Sequence, residues 1–130
     1  MTDSIDHNTA WAQRDLDHVW HPCTQMKDHE ALPPLPIRSA QGVWLEDFNG
    51  RRYIDAVSSW WVNLFGHSNP VITAALKDQL DTLDHIMLAG MTHTPAVELA
   101  ESLVRLAPEP LTRCFYADNG SAAVEAALKM

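Results

Sequence analysis

Apolar and polar residues alternate in two neighbouring stretches of the chain, residues 42–47 (GVWLED) and 52–57 (RYIDAV). Alternation is typical of strands with one buried face. Asn49 and Gly50 stand between the two stretches, and this dipeptide is favoured in tight turns between antiparallel strands. The pattern therefore predicts a β-hairpin.

Helical spacing of apolar residues predicts four helices, each preceded by a signal typical of a helix start. The starts are Thr9, Asn69 followed by Pro70, Thr94 followed by Pro95, and Ser121. We expect the first helix to end before residues 20–26 (WHPCTQM) and the second to run to about Met87. The third should end ahead of Pro108.

Three further stretches lack helical spacing. Residues 31–39 (ALPPLPIRS) are rich in proline, which cannot donate a ladder hydrogen bond, so they are predicted to form a connector. Residues 58–70 (SSWWVNLFGHSNP) are irregular and aromatic, whereas residues 112–117 (TRCFYA) are predicted to form a short strand. A hairpin followed by helix, helix, strand and helix indicates an α/β fold.

Charge and composition narrow the classes of function. The chain has 17 acidic and 9 basic side chains, which argues against a nucleic-acid partner because phosphate backbones are bound by clustered Lys and Arg. We expect no membrane segment, since no apolar run approaches the required length, and no secretion signal in the polar start. Cys23 and Cys114 have no metal or disulfide spacing, so a cytoplasmic protein is expected.

The seven histidines of the chain raise the question of a metal site. Only His18 and His21 have ligand-like spacing, and no further pair completes a tetrahedral set, so we predict no metal. Paired carboxylates such as Asp15 and Asp17 fall on exposed helical positions and are interpreted as a solvated face.

The most specific chemical feature is the Gly120-Ser121 step between the predicted strand and the last helix. A helix start leaves backbone amides without partners, and the helix dipole places positive charge there, so the position favours a phosphate. Gly120 allows close approach and Ser121 offers a hydroxyl donor. The alternative is that Asn119 or Ser121 merely caps the helix.

Four blocks of the sequence carry a resemblance to a known family. These blocks are WHPCTQM, GVWLEDFNGRRYIDAVSSWWVNLFGHSNP, THTPAVELAESLV and FYADNGSAAVEAALKM, in that order. In order and spacing the chain resembles the amino-terminal part of class III aminotransferases that use pyridoxal 5'-phosphate. Within this family, the SSWW pair and the upstream WHP are most similar to the members that act in biotin synthesis.

The resemblance implies roles for four residues. Gly120 and Ser121 would hold the cofactor phosphate, and Trp60 would form part of the wall of the substrate pocket. Many relatives have a tyrosine after the HP dipeptide where this chain has Cys23, so Cys23 is carried over only as a pocket candidate. The loop at residues 87–93 would approach the active site of a second subunit in a homodimer.

The resemblance also implies the fold and the reaction. The fold would be the pyridoxal-phosphate-dependent transferase fold of aspartate aminotransferase type, with residues 1–58 in the small domain and residues 59–130 beginning the large one. S-adenosylmethionine would donate an amino group and 8-amino-7-oxononanoate would accept it, giving 7,8-diaminononanoate.

The family's Schiff-base lysine has no counterpart in this chain. The lysines are Lys27, Lys77 and Lys129, and none of them matches the family's position; Lys129 is expected to pair with Glu125 one helical turn back. Because the last helix is apolar on nearly all sides and ends without a cap, we expect the chain to be part of a longer polypeptide.

Two other interpretations stay open. One is another class III aminotransferase that acts on ω-amino acids or ornithine, which would share the phosphate site and differ in the pocket. The other is a non-catalytic interaction module built from the hairpin and the helices.

Overall fold

The computed structural model describes residues 6–130 of the chain. In chain order the elements are α1 (His7–His18), a 3-10 helix (Met26–Glu30), β1 (Ile37–Gln41), β2 (Trp44–Asp47), β3 (Arg52–Ile54), the single helical turn α2 (Ser58–Trp61), α3 (Pro70–Thr82), α4 (Thr94–Leu106) and α5 (Gly120–Lys129). The α/β class is therefore confirmed.

The three strands form one antiparallel sheet in the order β1-β2-β3. The predicted hairpin is confirmed, with Leu45 opposite Tyr53 and Gly50 at φ 81° in its turn. The connector predicted over residues 31–39 is wrong at its end, because β1 begins at Ile37 and pairs with β2. The prolines stop at Pro36, so the chain regains its amide donors at that point.

Helix α1 is present as expected, but its cap is not Thr9. Asp6 caps the helix, and its carboxylate accepts hydrogen bonds from the amides of Asn8 and Thr9. The Thr9 hydroxyl instead donates to Asp6 at 2.5 Å. Asp is as good a cap as Thr, and capping at Asp6 lengthens the helix by three residues, from His7 to Thr9.

The helix α1 is fastened to the turn of the hairpin. Asn49 donates to the Asp6 carboxylate at 2.7 Å, and Asn8 accepts the amide of Phe48 at 3.0 Å. The rings of Trp11 and Phe48 stack with their centroids 5.0 Å apart. These contacts join two elements that are about forty residues apart in sequence.

Asp47, the last residue of β2, is fully buried, with 0% relative exposure. Its carboxylate accepts four hydrogen bonds, from the Asn8 side chain at 2.8 Å, the amides of Asn49 and Arg51 at 2.9 and 2.8 Å, and the Tyr53 hydroxyl at 2.9 Å. Burial opposes its ionisation, but these donors together hold the pKa of Asp47 below its usual value. Asp47 is thus the joint between helix, strand and turn.

Two helix boundaries differ from the sequence prediction. Asn69 caps α3 as expected, accepting from the amides of Val71 and Ile72, but the helix ends at Thr82 and not near Met87. Just beyond that end, the Asp84 side chain accepts the next backbone amide, which competes with helical hydrogen bonding. At α4 the cap is His93, one residue before the predicted Thr94.

The strand predicted at residues 112–117 is wrong. The segment is irregular, and no other described segment pairs with it. Its alternate side chains bond instead to the backbone of α4, with Cys114 Sγ donating to the carbonyl of Ala100 and the Tyr116 hydroxyl to that of Ala96. Two alternate side chains of the segment thus contact α4.

The chain divides into two compact units, Met1–Gln79 and Leu80–Met130. Within residues 6–130, Ala12 and Asp47 are the residues classed as buried, while large apolar side chains such as Trp61 and Leu128 are 78% and 83% exposed. Apolar surface left uncovered on this scale is typical of a region that packs against further protein. Among the described residues, no helix has the length and apolar character needed to cross a membrane.

Candidate functional site

The amino-terminal end of α5 carries the predicted phosphate site. Asn119 is the cap, and its side chain accepts the amide of Ala122 at 2.9 Å. Gly120 and Ser121 are therefore the first two helical residues, one position earlier than the predicted start at Ser121. Of the two capping alternatives, Asn119 is the cap and Ser121 is not.

Because Asn119 accepts the amide of Ala122, the backbone amides of Gly120 and Ser121 and the Ser121 hydroxyl are left to bind another group. Within the described residues no hydrogen bond uses their amides or the Ser121 hydroxyl. The space beside Gly120 is open, because a Cβ added there would meet nothing within 4 Å. Two amides and a hydroxyl at the positive end of a ten-residue helix are suited to an anion such as a phosphate.

At the other end of α5, Lys129 donates to Glu125 at 2.7 Å, which confirms the pair predicted from the sequence. This lysine is engaged on an exposed face of the helix.

Trp60 lies in α2, whose backbone is unusual. Four consecutive residues, Ser58 to Trp61, have φ angles of 49°, 45°, 68° and 66°. This is a left-handed turn built from residues with side chains, and each such residue costs about 1–2 kcal/mol relative to the right-handed form. The turn presents Trp60 and Trp61 outward, with 65% and 78% of each residue exposed.

A hydrogen-bond network holds this turn. The Asp55 carboxylate accepts the amide and the hydroxyl of Ser59 at 2.9 and 2.7 Å, and it accepts Nε2 of His67 at 2.7 Å. The Asp55 side chain is only 6% exposed. The Ser59 hydrogen bonds, and after them the one from His67, lower the pKa of Asp55 to about 2.

The lowered pKa of Asp55 predicts loss of stability in acid. In the unfolded chain Asp55 takes up a proton near its ordinary pKa of 3.8, whereas in the folded chain it stays ionised down to about 2. Its contribution is therefore complete above about pH 4 and declines as the pH falls towards 2. Asp6, whose pKa is also lowered to about 2 by hydrogen bonds led by that of Thr9, titrates in the same window.

We expect the thermal midpoint of the protein to fall between about pH 4 and about pH 2, and to fall less in the Asp55→Ala variant. Melting curves of both proteins across this range, followed by circular dichroism, make the comparison. Equal acid sensitivity of the two proteins would contradict the assignment.

Cys23 lies in the loop after α1, exposed, as a free thiol with φ 54°. It shares the first compact unit with Trp60, whereas Gly120 and Ser121 belong to the second. Gly120 and Ser121 are brought together at one helix end. No described hydrogen bond or ring contact joins Cys23 to Trp60.

The first unit also contains a cleft of about 590 Å³ between α1 and the proline-rich segment. Its polar wall includes Asp15 and His21, whose side chains bond at 2.5 Å, and none of the four predicted site residues lines it. Among residues 6–130, no three His, Cys, Asp or Glu side chains are grouped so that they could hold a metal ion.

Sequence reasoning missed Asp55 and His67. The signal was the spacing of Asp55 and Ser59, four residues apart before an aromatic pair, together with a histidine between Gly66 and Ser68. Such a spacing indicates a possible side-chain bond across one turn, but it does not indicate the handedness of that turn.

The family of the chain follows from comparison with known proteins. The model of the class-III aminotransferase family matches residues 24–130, and the chain belongs to this family. The family resemblance stated from the four sequence blocks is thereby confirmed.

One group of similar proteins consists of adenosylmethionine-8-amino-7-oxononanoate aminotransferases. The adenosylmethionine-8-amino-7-oxononanoate aminotransferase of Helicobacter pylori is 51% identical over 119 residues, which are 92% of this chain and 27% of that protein. The crystal structure of the enzyme of the same name from Methanocaldococcus jannaschii matches with a TM-score of 0.86 and 42% identity, over 93% of this chain and 28% of that one.

A second group of similar solved structures consists of omega transaminases. The omega transaminase of Pseudomonas jessenii, solved in complex with PMP, matches with a TM-score of 0.82 and 32% identity, over 91% of this chain and 26% of that one. In every one of these comparisons the chain spans only about a quarter of the relative's length.

Proposed function

We propose that this chain supplies the cofactor-phosphate site and one wall of the substrate pocket of an adenosylmethionine-8-amino-7-oxononanoate aminotransferase of biotin synthesis. The observation that carries the proposal is the open amino-terminal end of α5, with the uncommitted donors of Gly120 and Ser121, in a chain of the class III family. In such an enzyme, residues 1–58 would belong to the small domain and residues 59–130 to the large one.

The donor set at α5 fits pyridoxal 5'-phosphate as the cofactor. Gly120 and Ser121 would bind its phosphate through their amides and the Ser121 hydroxyl, while Asn119 keeps the helix capped by its bond to Ala122. When bound, this cofactor serves as the electron sink for amine chemistry. The residues of α5 would anchor and orient it and would not themselves transfer protons.

Trp60 and Cys23 are proposed to face the substrates, S-adenosylmethionine as amino donor and 8-amino-7-oxononanoate as acceptor. An exposed indole on a fixed turn can limit the size of what enters and can stack on a cationic sulfonium or ammonium group. A thermostable omega transaminase with 32% identity has a variant with one tryptophan changed to glycine, engineered for synthesis of bulky amines. That precedent supports a tryptophan as the size-limiting group.

A homodimer is proposed as the working form, with the loop at residues 87–93 reaching a second subunit. Its apolar side chains Met87, Leu88 and Met91 are 57%, 47% and 42% exposed, which supports a contact with further protein. The free cysteines Cys23 and Cys114 support a reducing, cytoplasmic location.

The proposal is tested with the protein produced from its complete reading frame. We expect the purified protein to absorb in the visible region characteristic of bound pyridoxal phosphate, and S-adenosylmethionine to bleach that band. Ser121→Ala should weaken retention of the cofactor by about 1–3 kcal/mol, because one hydrogen bond to a charged group is lost. Retention is measured by dialysis followed by absorbance.

The matched control is Ser102→Ala, which removes a half-buried hydroxyl on α4 that donates to the carbonyl of Glu98 and accepts from the Arg105 guanidinium. It should leave cofactor retention unchanged. Unchanged retention in Ser121→Ala would refute the phosphate role. Bleaching by ornithine or an ω-amino acid, but not by S-adenosylmethionine, would favour the omega-transaminase alternative, which the similarity to the Pseudomonas jessenii enzyme supports less strongly.

A further inference from the structure

We propose that Asp55 is a positioning residue: by holding the left-handed turn α2, it orients Trp60, the proposed wall of the substrate pocket. The inference rests on the proposed function, since it assigns a purpose to the direction in which Trp60 points. Asp55 itself touches neither substrate nor cofactor in this proposal.

The turn α2 needs an external clamp. Its four residues all have positive φ, and none of them is glycine, so local backbone preference opposes the conformation. Strained backbone of this kind persists only where the surroundings determine it, and it concentrates at functional sites. The described backbone bonds of this turn run from the Ser58 amide to the carbonyl of Asp55, from the Trp61 amide to that of Val57, and from the Val62 and Asn63 amides to that of Ser58.

Asp55 provides that clamp from a fixed position. Its own amide donates to the carbonyl of Val43 at 2.8 Å, which ties its backbone to the sheet side of the unit. Its carboxylate then holds Ser59 twice, through the amide and the hydroxyl. Ser59 is the second residue of the turn and has φ 45° and ψ 56°, so the clamp acts directly on the strained backbone.

His67 also holds the carboxylate, at Oδ2, the oxygen that accepts the Ser59 hydroxyl. The backbone of His67 forms a two-bond bridge with Gly42, at 2.9 and 2.8 Å, and its Nε2 donates to Asp55. Gly66 permits this bridge, because a Cβ there would lie 3.0 Å from the Gly42 Cα. Asp55 is therefore held between the bridge and the turn, with its side chain almost entirely covered.

The two tryptophans have little packing to orient them. Trp60 and Trp61 are 65% and 78% exposed, and no ring contact involving either of them is found among the described residues. Their direction therefore depends on the backbone that carries them. Loosening the clamp should allow α2 to relax and Trp60 to leave its position in the wall.

The first test is amide hydrogen exchange of the protein from the complete reading frame. Asp55→Ala should raise exchange of the Ser59 amide at least about tenfold, because its acceptor is gone. Ser59→Gly, which removes the hydroxyl and relieves the left-handed backbone, is the second variant in case Asp55→Ala folds poorly. Asp28→Ala, an exposed carboxylate on the 3-10 helix, is the matched control. Unchanged exchange in both Asp55→Ala and Ser59→Gly would overturn the proposal.

The second test is a double-mutant cycle with Trp60→Ala, measured on the amine that bleaches the bound cofactor. Asp55→Ala alone should raise KM for that amine about tenfold with little change in kcat. In the Trp60→Ala background the same change should alter KM less than about twofold, since the residue it positions is absent. Equal effects in both backgrounds would overturn the positioning role.

Retention of the cofactor band in Asp55→Ala separates this role from general unfolding. If the unchanged protein binds no pyridoxal phosphate, the proposed function fails, while the exchange experiment still decides whether Asp55 holds α2. If an amine other than S-adenosylmethionine bleaches the band, only the substrate assignment fails and the cycle is measured with that amine.

Discussion

Replacing Ser121 with aspartate is expected to abolish binding of pyridoxal phosphate while leaving the helix intact. An acidic residue in the first turn of a helix is favourable by about 0.3–1 kcal/mol, because it complements the positive end of the dipole. The same carboxylate would stand about 4 Å from a bound phosphate, and like charges at that separation repel by about 4 kcal/mol at an effective dielectric constant of 20. The affinity should fall at least about a thousandfold.

This variant separates a phosphate site from a simple helix start. If the end of α5 served only to begin the helix, Ser121→Asp would be neutral or stabilising and nothing else would change. Equilibrium dialysis against pyridoxal phosphate measures the cofactor affinity, and thermal melting of the apoprotein measures the stability. Ser121→Asn is the matched control, because asparagine has the size of aspartate and no charge. Its affinity for the cofactor should fall far less than that of Ser121→Asp. Cofactor affinity unchanged by the aspartate would end the phosphate assignment.

Replacing Asp47 with alanine is expected to cause the largest loss of stability among single changes in the first unit. The carboxylate is fully buried and accepts four hydrogen bonds, so its removal leaves the donors of Asn8, Asn49, Arg51 and Tyr53 without their acceptor. Buried donors left unsatisfied are among the few causes of severe destabilisation by a point mutation. The thermal midpoint should fall by several degrees or more.

The control for this prediction is Asp17→Ala, which removes an exposed carboxylate of α1 that accepts a hydrogen bond from the Gln13 side chain. Its midpoint should stay within about a degree or two of the unchanged protein. Asp47→Asn should lie between the two, since one oxygen acceptor remains. A midpoint in Asp47→Ala equal to that of Asp17→Ala would show that the joint is not needed for stability.

The sequence predicted elements well where a local signal determines them. Asn69 with Pro70 marked the start of α3, and the Asn49-Gly50 dipeptide marked the hairpin turn, because capping and turn formation depend on neighbouring residues. Predicted helix boundaries were wrong where a competing local hydrogen bond set the actual start or end of the helix. Asp6 replaced Thr9 as a cap, and Asp84 stands at the early end of α3.

Pairing between distant segments could not be predicted from the sequence. β1 is a strand because β2 lies beside it, whereas residues 112–117 pair with no described strand and two of their side chains bond to α4. Both outcomes depend on the neighbours that each segment meets in space. Alternation describes a segment's two faces, but it does not identify its partner.

At the candidate site, Gly120 and Ser121 could be singled out from the sequence because a helix start has its own chemistry. The left-handed course of α2 could not, since serine and tryptophan disfavour positive φ and the conformation depends on Asp55 and His67. The role of Trp60 was suggested by family resemblance alone. What orients it became evident only from the contacts of its neighbours.

The fastening of α1 to the hairpin turn has a consequence for biosynthesis. Every partner in it lies between Asp6 and Tyr53, so the contacts can form as soon as Tyr53 has left the ribosome. The buried Asp47 joint would then be closed before α4 and α5 are translated. Early closure of this joint would shelter the hairpin while α4 and α5 are still being made.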